Sequence, residues 1–484
     1  MPIKLRTSLF LKALVIAALV VVLSIPLLLE RGLVEERRSR RQAVAVEVAA
    51  SWGGPQVLGG PVLAVPFRGT RAADGSWVRP PAVLHFLPAE LVVEGDLVPE
   101  VRRRGIFEWV VYRADLRISG RFSPLDVAGW AVSRDELDWS GATLRLGLAD
   151  VHGLRGAGLT WDGAEVPWAP GGRVEGLWSS GVQALVGEAA AAAPRAAAPR
   201  AAAAAGRGHA FEITLSLLGS EVFEVLPLGG TSRVRLASTW PDPSFLGGFL
   251  PEERRVGADG FRAAWTVPDL AQGRPRRWRD GELGDRDLVS LRRPHGRPLA
   301  DGPLVDGGGF ASLGVALYRP VDHYQRIERS MKYAFVFILL TFVTLFLHEQ
   351  AGRAALHPMH YLLVGAALVL FYLLLLSLSE HLGFTLADLV AAAAVVAQVT
   401  AYAVAVLRRR RSALTLGLVT AVLYAYFWVL LDAEDYALLI GSVGLFAVLA
   451  LVMYLTRRVD WSAPAGAALP GLPREARGDA GGPG

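Results

Sequence analysis

The chain has 484 residues, 52% of them hydrophobic and 20% charged, with a formal net charge of +5 and a mean hydropathy of +0.35. That hydropathy is high for a soluble protein and low for a bare bundle of membrane helices, so the chain divides between membrane and water. No cysteine is present, which excludes disulfide frameworks, thiol catalysis and cysteine metal sites. The arginines sit beside apolar runs, where they set topology, and this argues against nucleic acid as a partner.

The first apolar run, Leu9–Leu29, has Lys4, Arg6 and Lys12 at its start. It is longer than a signal-peptide core and meets Glu30-Arg31 without a small-residue cleavage site, so residues 1–30 read as an uncleaved transmembrane anchor. Residues 31–51 continue as a basic juxtamembrane helix: Glu36 and Arg40 stand at i,i+4, and Val44 and Val48 extend one face. Two readings stand for this segment, a solvated stalk or a helix lying on anionic headgroups.

From 52 to 322 the texture is β. Alternating runs such as Val110–Ile118, Ala142–Leu148, Phe211–Leu217 and Ser232–Ser238 are separated by Gly, Pro and Asp clusters. Many short strands with such turns predict a sandwich-like domain. An Ala/Pro/Arg tract at 188–206 is a low-complexity insertion. The halves on either side of it echo one another, with Gly141–Leu146 matching Gly230–Leu236, so a duplicated β unit is one reading. No G-x-S-x-G, H-E-x-x-H or P-loop occurs. Asp150 and His152 read as turn residues. The run Trp240–Pro251 reads either as a rigid connection or as a partner-binding loop anchored by Trp240, Pro243, Phe245 and Phe249.

Residues 323–456 hold five further spans, placed at Tyr333–Leu347, Met359–Ser377, Phe384–Leu407, Ala413–Leu431 and Tyr436–Leu455. Arg408, Arg409, Arg410 and Arg411 mark a cytoplasmic loop, whereas Asp432–Asp435 has no positive charge and belongs outside. Counting spans puts both termini in the cytoplasm and the β-rich domain outside. Arg37, Arg38, Arg40 and Arg41 disagree with this count, a conflict the rule tolerates before a long domain. The tail at 457–484 is Gly, Pro, Ala and Arg, and reads as disordered and cytoplasmic.

Ser377, Glu380 and His381 stand at i, i+3 and i+4 near the external end of the third span, and Asp388 follows one turn into the fourth. They read either as helix-end caps or as a polar site inside the bundle. His348, Glu349, His357 and His360 are too loosely spaced for a metal site. Ala413, Gly417 and Ala421, with Gly441 and Gly444, read as helix-packing surfaces.

Five stretches resemble the CreD family of bacterial inner-membrane proteins, called cell envelope integrity proteins: Gln56–Pro66, Val111–Phe122, Trp240–Pro251, Pro320–Glu349 and His357–Phe384. The resemblance implies an inner-membrane protein with a periplasmic β-rich domain. It also implies roles in envelope integrity, colicin tolerance and responses to cell-wall-active antibiotics, under a two-component sensor and regulator. It carries over no catalytic residue and no cofactor.

The sequence thus predicts an α+β membrane protein: an N-terminal anchor helix, a sandwich-like periplasmic domain and a five-helix bundle. Its expected partners are the lipid bilayer and envelope proteins or cell-wall components. The first functional reading is a non-enzymatic scaffold or sensor. The alternative is a small transporter or flippase-like protein using the polar residues of the bundle.

Overall fold

A computed structural model of the chain describes residues 9–74, 76–130, 132–175, 177–189, 208–272, 275–283, 311–317, 323–352, 356–407, 410–432 and 436–457. The insertion at 190–206, Arg408, Arg409, residues 433–435 and the tail from 458 lie outside these. The described residues belong to two compact units, one within Met1–Arg38 and Val321–Gly484, the other within Ser39–Pro320.

The helical unit begins with α1 (Leu9–Trp52), which runs through the anchor and the basic segment without a break. It continues with α2 (His323–Gly352), α3 (Pro358–Leu382), α4 (Phe384–Leu407), α5 (Arg410–Asp432) and α6 (Ala437–Thr456). The helices α1 to α5 are each long and apolar enough to cross a membrane, and α6 is apolar over Leu439–Ala450. The buried seam of α1 is Val20, Leu23, Leu27, Glu30 and Val34. Their alternating spacing of three and four is the helical repeat that keeps one face against neighbours. Five of the expected spans thus meet the length criterion, and α2 extends the short second span expected from Tyr333 back to His323 as one helix.

The second unit is a β sandwich. In chain order its strands are β1 (Gln56–Phe67), β2 (Thr70–Arg71), β3 (Trp77–Arg79), β4 (Ala82–Phe86), β5 (Glu90–Arg104), β6 (Phe107–Phe122) and β7 (Thr143–Leu148). Then come β8 (Leu154–Trp161), β9 (Ala164–Glu165), β10 (Trp168–Pro170), β11 (Gly181–Leu185), β12 (His209–Ser220) and β13 (Val222–Val225). The last are β14 (Thr231–Ser238), β15 (Ser244–Gly247), β16 (Glu253–Gly257), β17 (Gly260–Pro268), β18 (Arg277–Arg279) and β19 (Leu313–Ala316). One sheet runs β10-β11-β7-β1-β13-β19-β15, with β4 and β18 branching from β1; the other runs β16-β17-β14-β5-β6-β12-β8-β9. The two echoing segments become β7 and β14, which lie in different sheets.

The eight-stranded sheet shows why the sequence alternates. In β14, Ser232, Val234 and Leu236 are buried while Arg233 and Arg235 are exposed, so one face meets the core and the other meets solvent. β1 is different: QVLGGPVLAVPF is buried almost end to end. Its Leu58, Leu63 and Val65 enter the core shared with the other sheet, whereas Val57 and Val62 enter a second core with Trp178, Leu226 and Trp278. A strand covered on both faces must be apolar throughout, and a register shift between Gly59 and Val62 re-aims its side chains.

The C-terminal part of α1 within this unit is engaged with the β5–β6 hairpin. Arg102 lies 3.6 Å over the Trp52 ring, Arg41 lies 5.5 Å from the Trp109 centroid, and Glu47 pairs with Arg104. These contacts fit a stalk and occupy Arg41, one of the cations a lipid-surface helix would present.

His85 of β4 is fully buried and stacks on Trp278, with centroids 5.2 Å apart; its Nε2 meets the Asp280 Oδ1 at 2.6 Å. Burial pushes the Asp280 carboxyl up, but the His85 hydrogen bond, with the charges of His85 and Arg145, outweighs it and holds the group below the usual carboxylate range. A depressed folded value means the stabilisation is complete above the unfolded value, near about 4, and is lost as pH falls through the folded one. The thermal unfolding midpoint of the full chain in detergent should therefore fall steeply below about pH 4, and Asp280→Asn should flatten that acid limb. An acid limb identical in wild type and Asp280→Asn would refute this account.

Candidate functional site

The polar residues of the helical unit are organised by the turn between α3 and α4. Gly383 alone links the two helices, at φ +78°, a backbone region that favours glycine, and the Ala387 amide bonds back to its carbonyl at 3.1 Å. This tight reversal brings the end of α3 beside the start of α4.

The four residues expected to act together are divided by the structure. Asp388 is buried, Glu380 is half-buried, and Ser377 and His381 are exposed on the outer side of α3. The i,i+3,i+4 spacing does place three of them on one stretch of surface, but the face that α3 buries is that of Tyr372, Leu375, Leu376 and Ser379. Ser379 is spent within its own helix, its hydroxyl donating to the Leu376 carbonyl at 2.9 Å. Glu380 accepts from the Tyr324 hydroxyl at 3.3 Å and lies 3.7 Å from Arg37 of α1. The grouping around Asp388 comes from other helices: Glu30 of α1 is also buried, and Tyr372 lies within electrostatic reach of both acids. Glu30 is masked in the sequence as the boundary of an apolar run. Its spacing of three from Leu27 and seven from Leu23 was the signal that it shares their buried face.

At the other end of the bundle, the four residues His348, Glu349, His357 and His360 find separate partners. The Tyr361 hydroxyl and the Leu356 amide donate to Glu349 at 3.0 and 3.2 Å, the His357 ring caps α3 by accepting from the Met359 amide, and His360 Nδ1 meets the Tyr402 hydroxyl at 2.7 Å. His348 Nδ1 lies 2.8 Å from the Thr344 carbonyl. Arg410 and Arg411, at the start of α5, are exposed. Gly417 lies against Thr400 of α4, and Gly444 against Tyr426, which gives the small-residue stripes their packing role.

In the β domain, Asp150 caps a short turn by accepting from the Gly54 and His152 amides at 2.9 and 3.0 Å. The aromatic loop faces inward. Trp240 is buried and donates to the Asp242 carbonyl at 3.1 Å, and Pro243 is half-buried. Phe245 packs edge-on against Phe261 and Trp265, and the Phe249 carbonyl accepts from the Trp265 indole at 3.1 Å. Three of the four anchors expected for a partner thus serve the core instead, and Leu250, 71% exposed, is the apolar side chain the loop turns outward.

A feature not singled out in the sequence is the solvent face of the eight-stranded sheet. It forms a trough of about 1210 Å³ whose lining includes Gly156, Gly158 and Ala264 on the solvent face. These small residues, on β8 and β17, add little bulk to the face, and charged residues line the strands between them. Arg235 donates to Glu94 at 2.8 Å, Arg117 to Glu212 at 2.6 Å, and the Ser216 hydroxyl to Asp115 at 2.8 Å. Arg254, Arg255 and Arg262 stand at the β16–β17 rim, Arg255 directly opposite Arg262. Each strand contributes only alternate residues to this surface, so no contiguous motif could announce it.

The sequence model of the family described as Inner membrane protein CreD matches residues 8–462. An Escherichia coli (strain K12) protein named Inner membrane protein CreD is 33% identical over 479 residues, which cover 95% of each chain.

Proposed function

Since the chain belongs to the CreD family of inner membrane proteins, we propose that it supports cell envelope integrity under stress, acting without catalysis through a β domain on the periplasmic side. The inner-membrane location follows from the family and from helices long and apolar enough to span a bilayer several times, and the periplasmic side is part of the proposal. The observation that carries the proposal is the trough on the eight-stranded sheet. Its nearly balanced charges, several of them already paired with one another, suit a polar or zwitterionic envelope component held by many weak contacts. The turn chemistry of Asp150 and His152 leaves them a structural role in this reading.

A single substitution tests the trough. A Cβ on Gly156 meets nothing within 4 Å, so Gly156→Trp fills the depression without a clash at its base. In a deletion strain under envelope stress, Gly156→Trp should accumulate normally and fail to protect. Full protection at normal abundance would remove the trough from the function. Orientation is read in the same strain, because the absence of cysteines gives a clean background. Ser76→Cys, in an exposed turn, should react with a membrane-impermeant maleimide in intact spheroplasts, and protection until lysis would reverse the topology. The burial of Asp388 inside the bundle favours a second reading, a small transporter or flippase-like protein.

A further inference from the structure

Among the described residues the helix bundle buries three carboxyls: Glu30, Glu349 and Asp388. Glu349 is provided for, with a hydroxyl and an amide donating to it. Glu30 and Asp388 are not. They are 8% and 4% exposed, and one oxygen of each, Oε2 and Oδ1, is buried with no hydrogen-bond partner among the described residues. Neither forms an ion pair there. Tyr372 lies within electrostatic reach of both acids and Tyr424 within reach of Asp388, and the Phe371 ring packs against both phenols. Four helices, α1, α3, α4 and α5, therefore bring two carboxyls and two phenols into one neighbourhood.

Among the described residues no cation forms an ion pair with either acid. Arg31 donates to the Met331 carbonyl at 3.3 Å, Arg37 lies 3.7 Å from Glu380, and the Arg326 guanidinium lies 5.5 Å from the Phe384 ring centroid, one turn before Asp388, its buried Nε also without a hydrogen-bond partner among the described residues. Tyr324 is bound to Glu380. An ionised carboxylate in such a place loses its hydration and gains no cation in return, which is a severe electrostatic penalty. A hard metal cation would want about six oxygen ligands, and continuous helices keep their backbone carbonyls for themselves. A proton satisfies the site differently: it removes the charge and turns each acid into a donor.

We propose that Glu30 and Asp388 form a proton-binding site inside the helix bundle that stays partly protonated at neutral pH, with Tyr372 and Tyr424 around the two carboxyls. The site is independent of what the β domain binds. It would make the packing of α1 against α2 and α3 respond to pH.

The test is infrared spectroscopy of the full-length protein in lipid nanodiscs, titrated through neutral pH. Wild type should show the carbonyl stretch of protonated carboxylic acids at pH 7, sensitive to deuterium exchange. Glu30→Gln and Asp388→Asn should each remove part of the band, and the double variant should remove both parts. No such band in wild type, or the same band in the double variant, would overturn the assignment. Disappearance of the band on adding sodium chloride would also overturn it, in favour of a cation site. Thermal unfolding gives a second readout on the same samples. A fold that holds extra protons loses stability as pH rises from the unfolded carboxyl value, about 4, through the folded one, so wild type should melt progressively lower as pH rises toward neutral and the double variant should not. Parallel pH dependence in the two would again contradict the proposal.

Discussion

Trp178→Ala is expected to destabilise the β domain by about 3–5 kcal/mol, the range for truncating a fully buried tryptophan. In a domain of this size that corresponds to a drop of roughly 2–4 °C in unfolding midpoint per kcal/mol. The reason lies in a pavement of glycines. Trp178 is 2% exposed, its indole donates to the Gly172 carbonyl at 2.7 Å, and its ring lies flat over β1 and β7. A Cβ on Gly147 would come within 2.5 Å of the ring, one on Gly59 within 2.8 Å and one on Gly60 within 3.1 Å. Gly147 and Gly59 face one another in the β1–β7 pairing, so both strands have given up side chains at the same place to admit one large ring. Gly147→Ala should therefore destabilise on its own, by about 1–3 kcal/mol from overpacking. The pair should not add. With Trp178 reduced to alanine the space beside Gly147 is open, and the double variant should unfold close to Trp178→Ala alone, an interaction of about 1–3 kcal/mol. Unfolding of the full chain in detergent, followed by tryptophan fluorescence, would decide it. Additive losses would mean that Gly147 is required for some reason other than the ring.

That pavement marks the boundary of what the sequence made legible. The strands that alternate could be read directly: Ser232–Ser238 and Phe211–Leu217 lie in β14 and β12. So could the spans, because twenty apolar residues in a row leave few alternatives. What could not be read is the pairing of distant strands. β1 lies parallel to β13, and β14 parallel to β5, contacts between segments more than 100 residues apart whose patterns carry no mark of one another. The same limit governs the polar residues of the bundle. Ser377, Glu380 and His381 were grouped by spacing along one helix, but which side of α3 is buried depends on its neighbours, and the structure buries Ser379 and Tyr372. Asp388 was recognisable as a carboxylate inside a span. Its companion Glu30 lies more than 350 residues earlier and is legible only by continuing the seam of α1 past the end of its apolar run. The inward turn of Trp240, Phe245 and Phe249 was open for a related reason: an aromatic loop looks the same in sequence whether its rings face a partner or the core.

Gly365→Val should have the largest effect in the helical unit, because it strikes the place where α1 docks. Helices in lipid gain little from the hydrophobic effect against one another, and their association rests on close van der Waals packing at small residues. Gly365 of α3 is such a point. A Cβ there would run into the Leu23 side chain of α1 and come within 2.8 Å of the Phe342 ring of α2. Leu23 belongs to the buried seam that continues through Leu27 to Glu30, and Phe342 is fully buried, so neither side chain has an empty place to move into. Valine at this position must push α1 away or tilt α2, a penalty of about 1–3 kcal/mol or more for a site with no slack. The expected result is a lower unfolding midpoint in detergent and lower abundance in the membrane. Because Leu23 is the closest obstacle, Leu23→Ala combined with Gly365→Val should recover much of the loss, whereas Leu23→Ala alone should destabilise by leaving a void. Failure of the double variant to recover would place the strain on Phe342 instead, and a Gly365→Val protein as stable as wild type would show that α1 does not dock there at all. Displacing α1 also carries Glu30 with it, so Gly365→Val should weaken the protonated-carboxyl band even though both acids are present. That links the packing of one glycine to the chemistry of the acid pair two turns along the same seam.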